Sequence, residues 1–387
     1  MKQGWELKKL EDVCYCKSSN VSQNKLVDEI GDYPIFGASG LIKNVSFYHR
    51  DKPYLSIVKD GSGFGRITKM DAFTSVIGTL QYILPNDEID LDYLNYSLMS
   101  VDFKKYVQGA AIPHIYFKDY KNEPFLWMPL PEQQRIVAKL DEAFAVIAKA
   151  KANAEQNLKN AKELFESYKN ELFDNKGKGY IEIALKEICD KITQGPNPKY
   201  DKNENEKFRV LKTKNLYDKN IFYEEADKVS ESVFNTCLSS ELKDGDVLLA
   251  IVGQGSINKC NVFENKTPYR FIYTRALGLI RTNNLKLNPY FLKAFLQSKR
   301  GKDLIDYGIG GTSGQQVVTT THIKALKIPL PSLKEQQIII QKLDALSIEV
   351  KKLEVIYQKK INDLEELKKS VLQKAFSGEL KTEKIVV

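Results

Sequence analysis

The chain has 387 residues, enough for two domains with connecting elements, and no apolar run approaches the length of a membrane helix. Hydrophobic residues are 42% and charged residues 28%, which excludes a disordered chain and suits a folded, soluble one. The 58 basic and 50 acidic residues leave a net charge of +8, which fits a polyanionic partner. The N-terminus has no apolar core of the signal-peptide kind, so a cytoplasmic protein is expected.

The first unit mixes short strands with turns. Tyr54–Val58 and Phe73–Ile77 read as strands, and a helix is expected over Leu91–Tyr106. Between the strands lies a glycine-rich turn, Lys59-Asp60-Gly61-Ser62-Gly63-Phe64-Gly65-Arg66. Small residues there let the backbone approach another surface, and Lys59, Ser62 and Arg66 are candidate phosphate contacts. It is not a nucleotide-binding motif, because neither Gly-x-Gly-x-x-Gly nor Gly-x-x-x-x-Gly-Lys-Ser/Thr occurs. A later polar segment, Gln108 to Ile115, offers Gln108 and His114. Lys43 and Lys69 are further candidates by charge.

Cys14 and Cys16 belong with Cys189, Cys237 and Cys260 in matching no zinc pattern, and only His49, His114 and His322 could join them. Reduced thiols and no metal are expected.

A long helix follows Pro129-Leu130-Pro131, with proline at the entry and none in the interior. Apolar positions then step by four and three, and Ile136, Leu140, Ile147 and Leu164 mark the seam. Asn157 is a polar step in it, either fixing register or marking where the seam frays. Glycine and charge over residues 174–180 form a linker.

The second unit opens with a weak rhyme of the first: Tyr180, Leu185, Ile188 and Cys189 echo Trp5, Leu10, Val13 and Cys14. Arg209–Asn215 reads as a strand edge with Lys212 and Lys214 on one side and Asn215 beyond, suited to phosphates and a base edge respectively. Asp246–Val252 reads as a buried strand, and the turn after it carries Gln254, Ser256 and Lys259. Arg275 is a further basic candidate. A helix is expected over Pro289–Leu304. The loop Gly308–Gln316 is too glycine-rich for regular structure and presents Thr312 and Gln315.

Pro329-Leu330-Pro331 then introduces a second long helix. Its seam, Ile339, Leu343, Val350, Leu353, Leu364 and Leu367, follows the first at a constant offset of 203, and Lys360 falls where Asn157 does. Each helix would be roughly 60 Å long and cannot bury its stripe alone, so the two are expected to pair. The fold class expected is α+β, two tandem domains each followed by a long helix, the helices forming an antiparallel coiled coil.

The repeated Pro-Leu-Pro, Glu132-Gln133-Gln134 with Glu335-Gln336-Gln337, Lys139-Leu140-Asp141 with Lys342-Leu343-Asp344, and the ending Leu367 to Leu380 resemble type I restriction-modification specificity subunits over nearly the whole chain. The first helix departs from the pattern by lacking the Phe-Ser-Gly-Glu-Leu ending. The resemblance implies target-recognition domains at 1–128 and 176–328, and helices at 129–175 and at 329–387 with a tail. Each domain would read half of a bipartite site in double-stranded DNA. The helices would set the spacer and dock methyltransferase subunits, two of them, with restriction or translocase subunits as further partners. S-adenosylmethionine, ATP and Mg would belong to those partners, leaving this chain without cofactor or catalysis.

Two enzyme readings compete. Asn288-Pro289-Tyr290-Phe291 approaches an adenine-methyltransferase motif but lacks its second proline. Asp246 with Glu264-Asn265-Lys266 could hold Mg²⁺ in a nuclease, at a loose spacing. A third reading is a scaffold that binds only protein through the coiled coil.

Overall fold

A computed structural model describes residues 4–109, 112–174, 179–199, 205–312 and 316–377. The chain divides into two compact units, Met1–Gln156 with Tyr357–Val387, and Asn157–Ile356. Both boundaries fall inside the long helices, Leu130–Phe173 and Leu333–Phe376, so each unit holds part of both.

In the first unit, a four-stranded antiparallel sheet runs in the order Cys14–Ser18, Leu80–Pro85, Tyr54–Val58, Ile67–Met70. Every residue of Tyr54–Val58 is buried, as its continuous apolar run requires of a central strand. A second sheet pairs Tyr33–Gly37 antiparallel to Gly40–Val45 and parallel to Ser75–Val76. A ribbon joins Glu6–Lys9 to Pro124–Trp127.

The second unit repeats these three sheets strand for strand and adds a two-stranded ribbon, Ile309–Gly310 with Val317–Val318. Its four-stranded sheet runs Cys189–Gln194, Leu277–Thr282, Val247–Ala250, Cys260–Val262. Its three-stranded sheet pairs Asn205–Leu211 antiparallel to Asp227–Val229 and parallel to Arg270–Tyr273. Its ribbon joins Glu182–Ala184 to Lys327–Pro329. The faint rhyme between the two openings therefore marks a complete internal repeat.

The motif Glu-Gln-Gln has the same physical role in both units. Gln133 is fully buried, accepts a hydrogen bond from Asp90 N and donates to the carbonyls of Glu88 and Met128. Gln336 is fully buried, accepts from Asn288 N and donates to the carbonyls of Lys286 and Pro331. Asp90 and Asn288 are the N-caps of the helices Leu91–Met99 and Pro289–Leu296. A single amide thus fastens the start of each long helix to the start of a domain helix. The three extra residues before the second motif supply a capping box, in which Ser332 and Glu335 satisfy each other's backbone N–H.

Within the first unit the two long helices run antiparallel. Lys368 lies over the Phe144 ring and Lys151 pairs with Glu365, so one numbering rises as the other falls. Ile136, Leu140, Phe144, Ile147, Leu372 and Ala375 join the domain core. In the second unit Phe173, Ile339, Ile340 and Leu343 do the same. Each helix thus buries a face against its own domain, and its partner helix contributes to that core.

The seam is narrower than the heptad pattern. Ile136, Leu140, Ile147, Ile339, Leu343 and Val350 are buried and Leu364 half-buried, whereas Leu164, Leu353 and Leu367 are exposed. Toward the end of the second helix the covered positions are Ile361, Leu372 and Ala375, off the 3.5-residue register. A helix of 3.6 residues per turn drifts about 20° per heptad, which carries such positions out of the contact. Asn157 and Lys360 are both exposed, which favours fraying over a register device.

Four other expectations are corrected by local chemistry. The helix from Leu91 stops at Met99, and Asp102 starts a separate 3-10 turn over Phe103–Tyr106. The helix from Pro289 breaks at Gln297–Ser298, and Ser298 caps a new one over Lys299–Asp306. A Cβ on Gly301 in that cap would lie 2.1 Å from the Phe295 carbonyl oxygen, so only glycine fits the break. The strand at Phe73–Ile77 shrinks to Ser75–Val76, because Phe73 has φ 60°. The strand at Arg209 ends at Leu211, and Thr213–Asn215 is a 3-10 turn.

Candidate nucleic-acid interface

Each domain brings together two segments far apart in sequence. In the first, Gly61 N donates to Pro113 O and Ile115 N to Lys59 O, seating Pro113–Ile115 beside the glycine turn, with Gln108 paired to His114. In the second, Gly253 N donates to Gln316 O and Val318 N to Ile251 O, seating Gln316–Val318 beside its own turn. The turns follow the central strands Tyr54–Val58 and Val247–Ala250, so equivalent positions of the repeat carry equivalent polar surfaces.

The candidate residues divide by what already engages them. Ser62, Gln254, Arg275 and Thr312 are exposed. Arg66 is exposed and donates to Ala38 O at the rim of a 240 Å³ groove between the two sheets of its domain. Ser256 is half-buried in its turn, and Lys259 lies 4.8 Å from the Tyr217 ring centroid. His114 is half-buried with Nδ1 against Ile112 O. Four candidates are held by acids: Lys69 by Asp92, Gln108 by Asp119, and Lys212 and Lys214 both by Asp227. Lys59 is 3.6 Å from Asp60.

Two candidates are structural. Lys43 Nζ donates to the carbonyls of Leu26 and Val27, tying down the 3-10 turn Gln23–Leu26. Asn215 is fully buried, its Oδ1 accepts from Lys212 N and its Nδ2 donates to Phe222 O. No group is left on it for a base edge. Gln315 lies outside the described residues.

Burial alone would raise the Asp227 carboxyl, but the hydrogen bonds and charges of Lys212 and Lys214 outweigh it and hold the pKa below the ordinary value. This acid neutralises part of the basic edge that residue type suggests.

The structure adds exposed aromatics that the sequence reading passed over. Tyr217 and Phe222 meet edge to face at 5.2 Å, beside Lys259. In the first domain exposed Tyr48 and Phe73 form a ladder with half-buried Tyr33, at centroid spacings of 4.8 and 5.1 Å. Phe73 is half exposed and holds a left-handed backbone at φ 60°, a conformation that costs about 1 kcal/mol or more for a side chain of this size. No spacing rule flags such residues, because the fold alone assembles the clusters.

The catalytic alternatives lose their groups to structure. Asp246 is buried and clamped by both Arg281 Nε and Nη2 at 2.7 Å. Glu264 accepts from Tyr290 OH and lies 3.6 Å from Lys266. Asn288 is spent as a helix cap. Among the described residues, no group of three or more His, Cys, Asp or Glu is arranged to hold a metal ion, and no helix is long and apolar enough to cross a membrane.

Comparison with known proteins places this repeat. Residues 2–160 and 177–366 match the family described as Type I restriction modification DNA specificity domain. The MjaVIII specificity subunit of Methanocaldococcus jannaschii, a type I restriction enzyme, is 27% identical over 348 residues, 84% of this chain and 79% of that protein. The EcoKI specificity subunit of Escherichia coli is 25% identical over 272 residues, 65% of this chain and 56% of that protein. A chain solved in work on complex assembly and conformational transition of a type I R-M system matches 98% of this chain and 99% of its own, with TM-score 0.71 and 18% identity. The HsdS subunit from Thermoanaerobacter tengcongensis matches 98% of each chain with TM-score 0.57 and 18% identity. At these identities the two structures speak for the fold.

Proposed function

Because the chain belongs to the type I restriction modification DNA specificity family, we propose that it is the DNA-reading subunit of such a complex, with each domain reading one half of a bipartite site. The observation that carries this reading is the strand-for-strand repeat, which sets the same pair of loops on two domains whose loop sequences differ. A shared scaffold with unlike loops suits two unlike half-sites. The paired long helices act as the spacer that fixes the gap between them.

Methyltransferase subunits, two per chain, dock on the helices. Apolar side chains left uncovered there, among them Leu164, Ile348, Val355 and Ile356, support this docking. S-adenosylmethionine, ATP and Mg act in partner subunits, and this chain contributes recognition without catalysis. Any restriction subunit binds the same assembly, which works in the cytoplasm. A scaffold that binds protein alone would not need the polar loops to recur at equivalent places.

The test is methylome sequencing of cells expressing this chain with its methyltransferase partner, and of the same cells with the chain deleted. A bipartite methyladenine motif that disappears on deletion is expected. An unchanged methylome, where the complex is shown to assemble, would leave the scaffold reading.

A further inference from the structure

The internal repeat shows one place where the second unit lacks what the first contains. In the first unit Tyr96, on the domain helix Leu91–Met99, donates its hydroxyl to Asp141 of the long helix and packs its ring 5.4 Å from Phe144. Alignment on the two fastening amides, Gln133 with Gln336, and on their cap partners, Asp90 with Asn288, puts Ala294 at the place of Tyr96, Asp344 at that of Asp141 and Ser347 at that of Phe144. Both rings are gone while the carboxylate remains.

The space they vacate stays open. A cavity of about 390 Å³ is lined by Ala294, Ser347, Asp344 and Lys293, with Phe165 and Leu343 among its apolar walls. The Asp344 carboxylate makes no hydrogen bond or ion pair among the described residues, unlike that of its counterpart Asp141. Lys293, which stands where the first unit has Asn95, is half-buried, and its ammonium also makes none among the described residues. Burial pulls the Lys293 ammonium below the usual lysine pKa, opposed by the carboxylates of Asp218, Asp344 and Glu264.

We propose that this cavity is a binding site for a small phenol, whose ring occupies the space of Tyr96 and Phe144 and whose hydroxyl meets Asp344 and Lys293. A phenolic hydroxyl is both donor and acceptor, so one group complements the carboxylate and the ammonium together. The volume lies in the range of small-ligand sites, and a single aromatic ring with its substituents fits within it. Its lining is drawn from the long helices, the domain helices and Asp218–Lys219, so the site adjoins the turn that carries Tyr217 and Phe222.

The experiment is a ligand-observed NMR titration of the full chain with p-cresol, with toluene as the ring lacking a hydroxyl. Saturable p-cresol binding, about tenfold tighter than toluene, is expected from a charge-assisted hydrogen bond. Ala294→Tyr with Ser347→Phe, which rebuilds the first unit's arrangement, should abolish the binding while thermal denaturation shows a folded protein. Should that variant not fold, Asp344→Asn should weaken p-cresol about tenfold and leave toluene unchanged. Absence of saturable p-cresol binding, equal affinity for toluene, or binding undiminished in these variants would overturn the proposal and leave a water-filled cavity.

Discussion

Gln133 and Gln336 show how little a residue's type reveals until its partners are known. Each buries an amide with every hydrogen bond satisfied, and removing one leaves a buried N–H and two carbonyls without partners. Gln336→Ala is predicted to cost about 3 kcal/mol, read as a lower urea midpoint, with a similar loss for Gln133→Ala. A loss below about 0.5 kcal/mol would mean that water replaces the amide and the fastening is incidental. The candidate contacts separate in the same way. Arg275→Ala is predicted to lower DNA affinity of the assembled complex and to flatten its salt dependence by about 0.9 in log–log slope, the share of one phosphate contact. Lys43→Ala should leave that slope unchanged and lower stability instead, since its ammonium holds two carbonyls. At Asp227 the folded pKa lies below the ordinary value, so its pairing with Lys212 and Lys214 stabilises the fold above the unfolded pKa and is lost as pH falls through the folded one. The stability difference between wild type and Asp227→Asn should therefore shrink under acid, which denaturation at stepped pH would reveal. Lysine type and strand alternation could not forecast this acid, because Asp227 reaches Lys212 and Lys214 only through the sheet pairing of Asp227–Val229 with Asn205–Leu211.

The long helices were the most legible elements, because a glycine-free stretch with a sustained seam between proline entries leaves little else to form. Their two halves also carry the repeat in sequence, whereas the strands matched only in topology. Each sheet tolerates any apolar set that keeps its faces, so residue identity faded while strand order persisted. The seam failed where a straight helix drifts, at Leu164, Leu353 and Leu367. The domain-helix breaks at Ser100–Asp102 and Gln297–Ser298 were hidden because periodicity continues across them while the caps do not. If the pair acts as a spacer, inserting one heptad after Ala154 and after Tyr357 should lengthen it by about 10 Å, adding about three base pairs to the gap. Methylome sequencing should then show both half-sites intact and the gap enlarged. Altered half-site sequences would contradict a division between reading and spacing.

At the scale of the molecule, the family and the tandem plan were readable because they rest on patterns repeated within one chain. The bases read are not legible in any residue, because the targets of the loops' hydrogen-bonding groups depend on how a duplex lies against them. The central claim is that two domains read independently, and a domain exchange tests it most directly. Replacing residues 180–328 with the second domain of another family member, and sequencing the methylome of cells with the same methyltransferase partner, should change one half-site while the other half-site and the spacer stay as they were. A motif changed in both halves, or one unaffected by the exchange, would contradict the account.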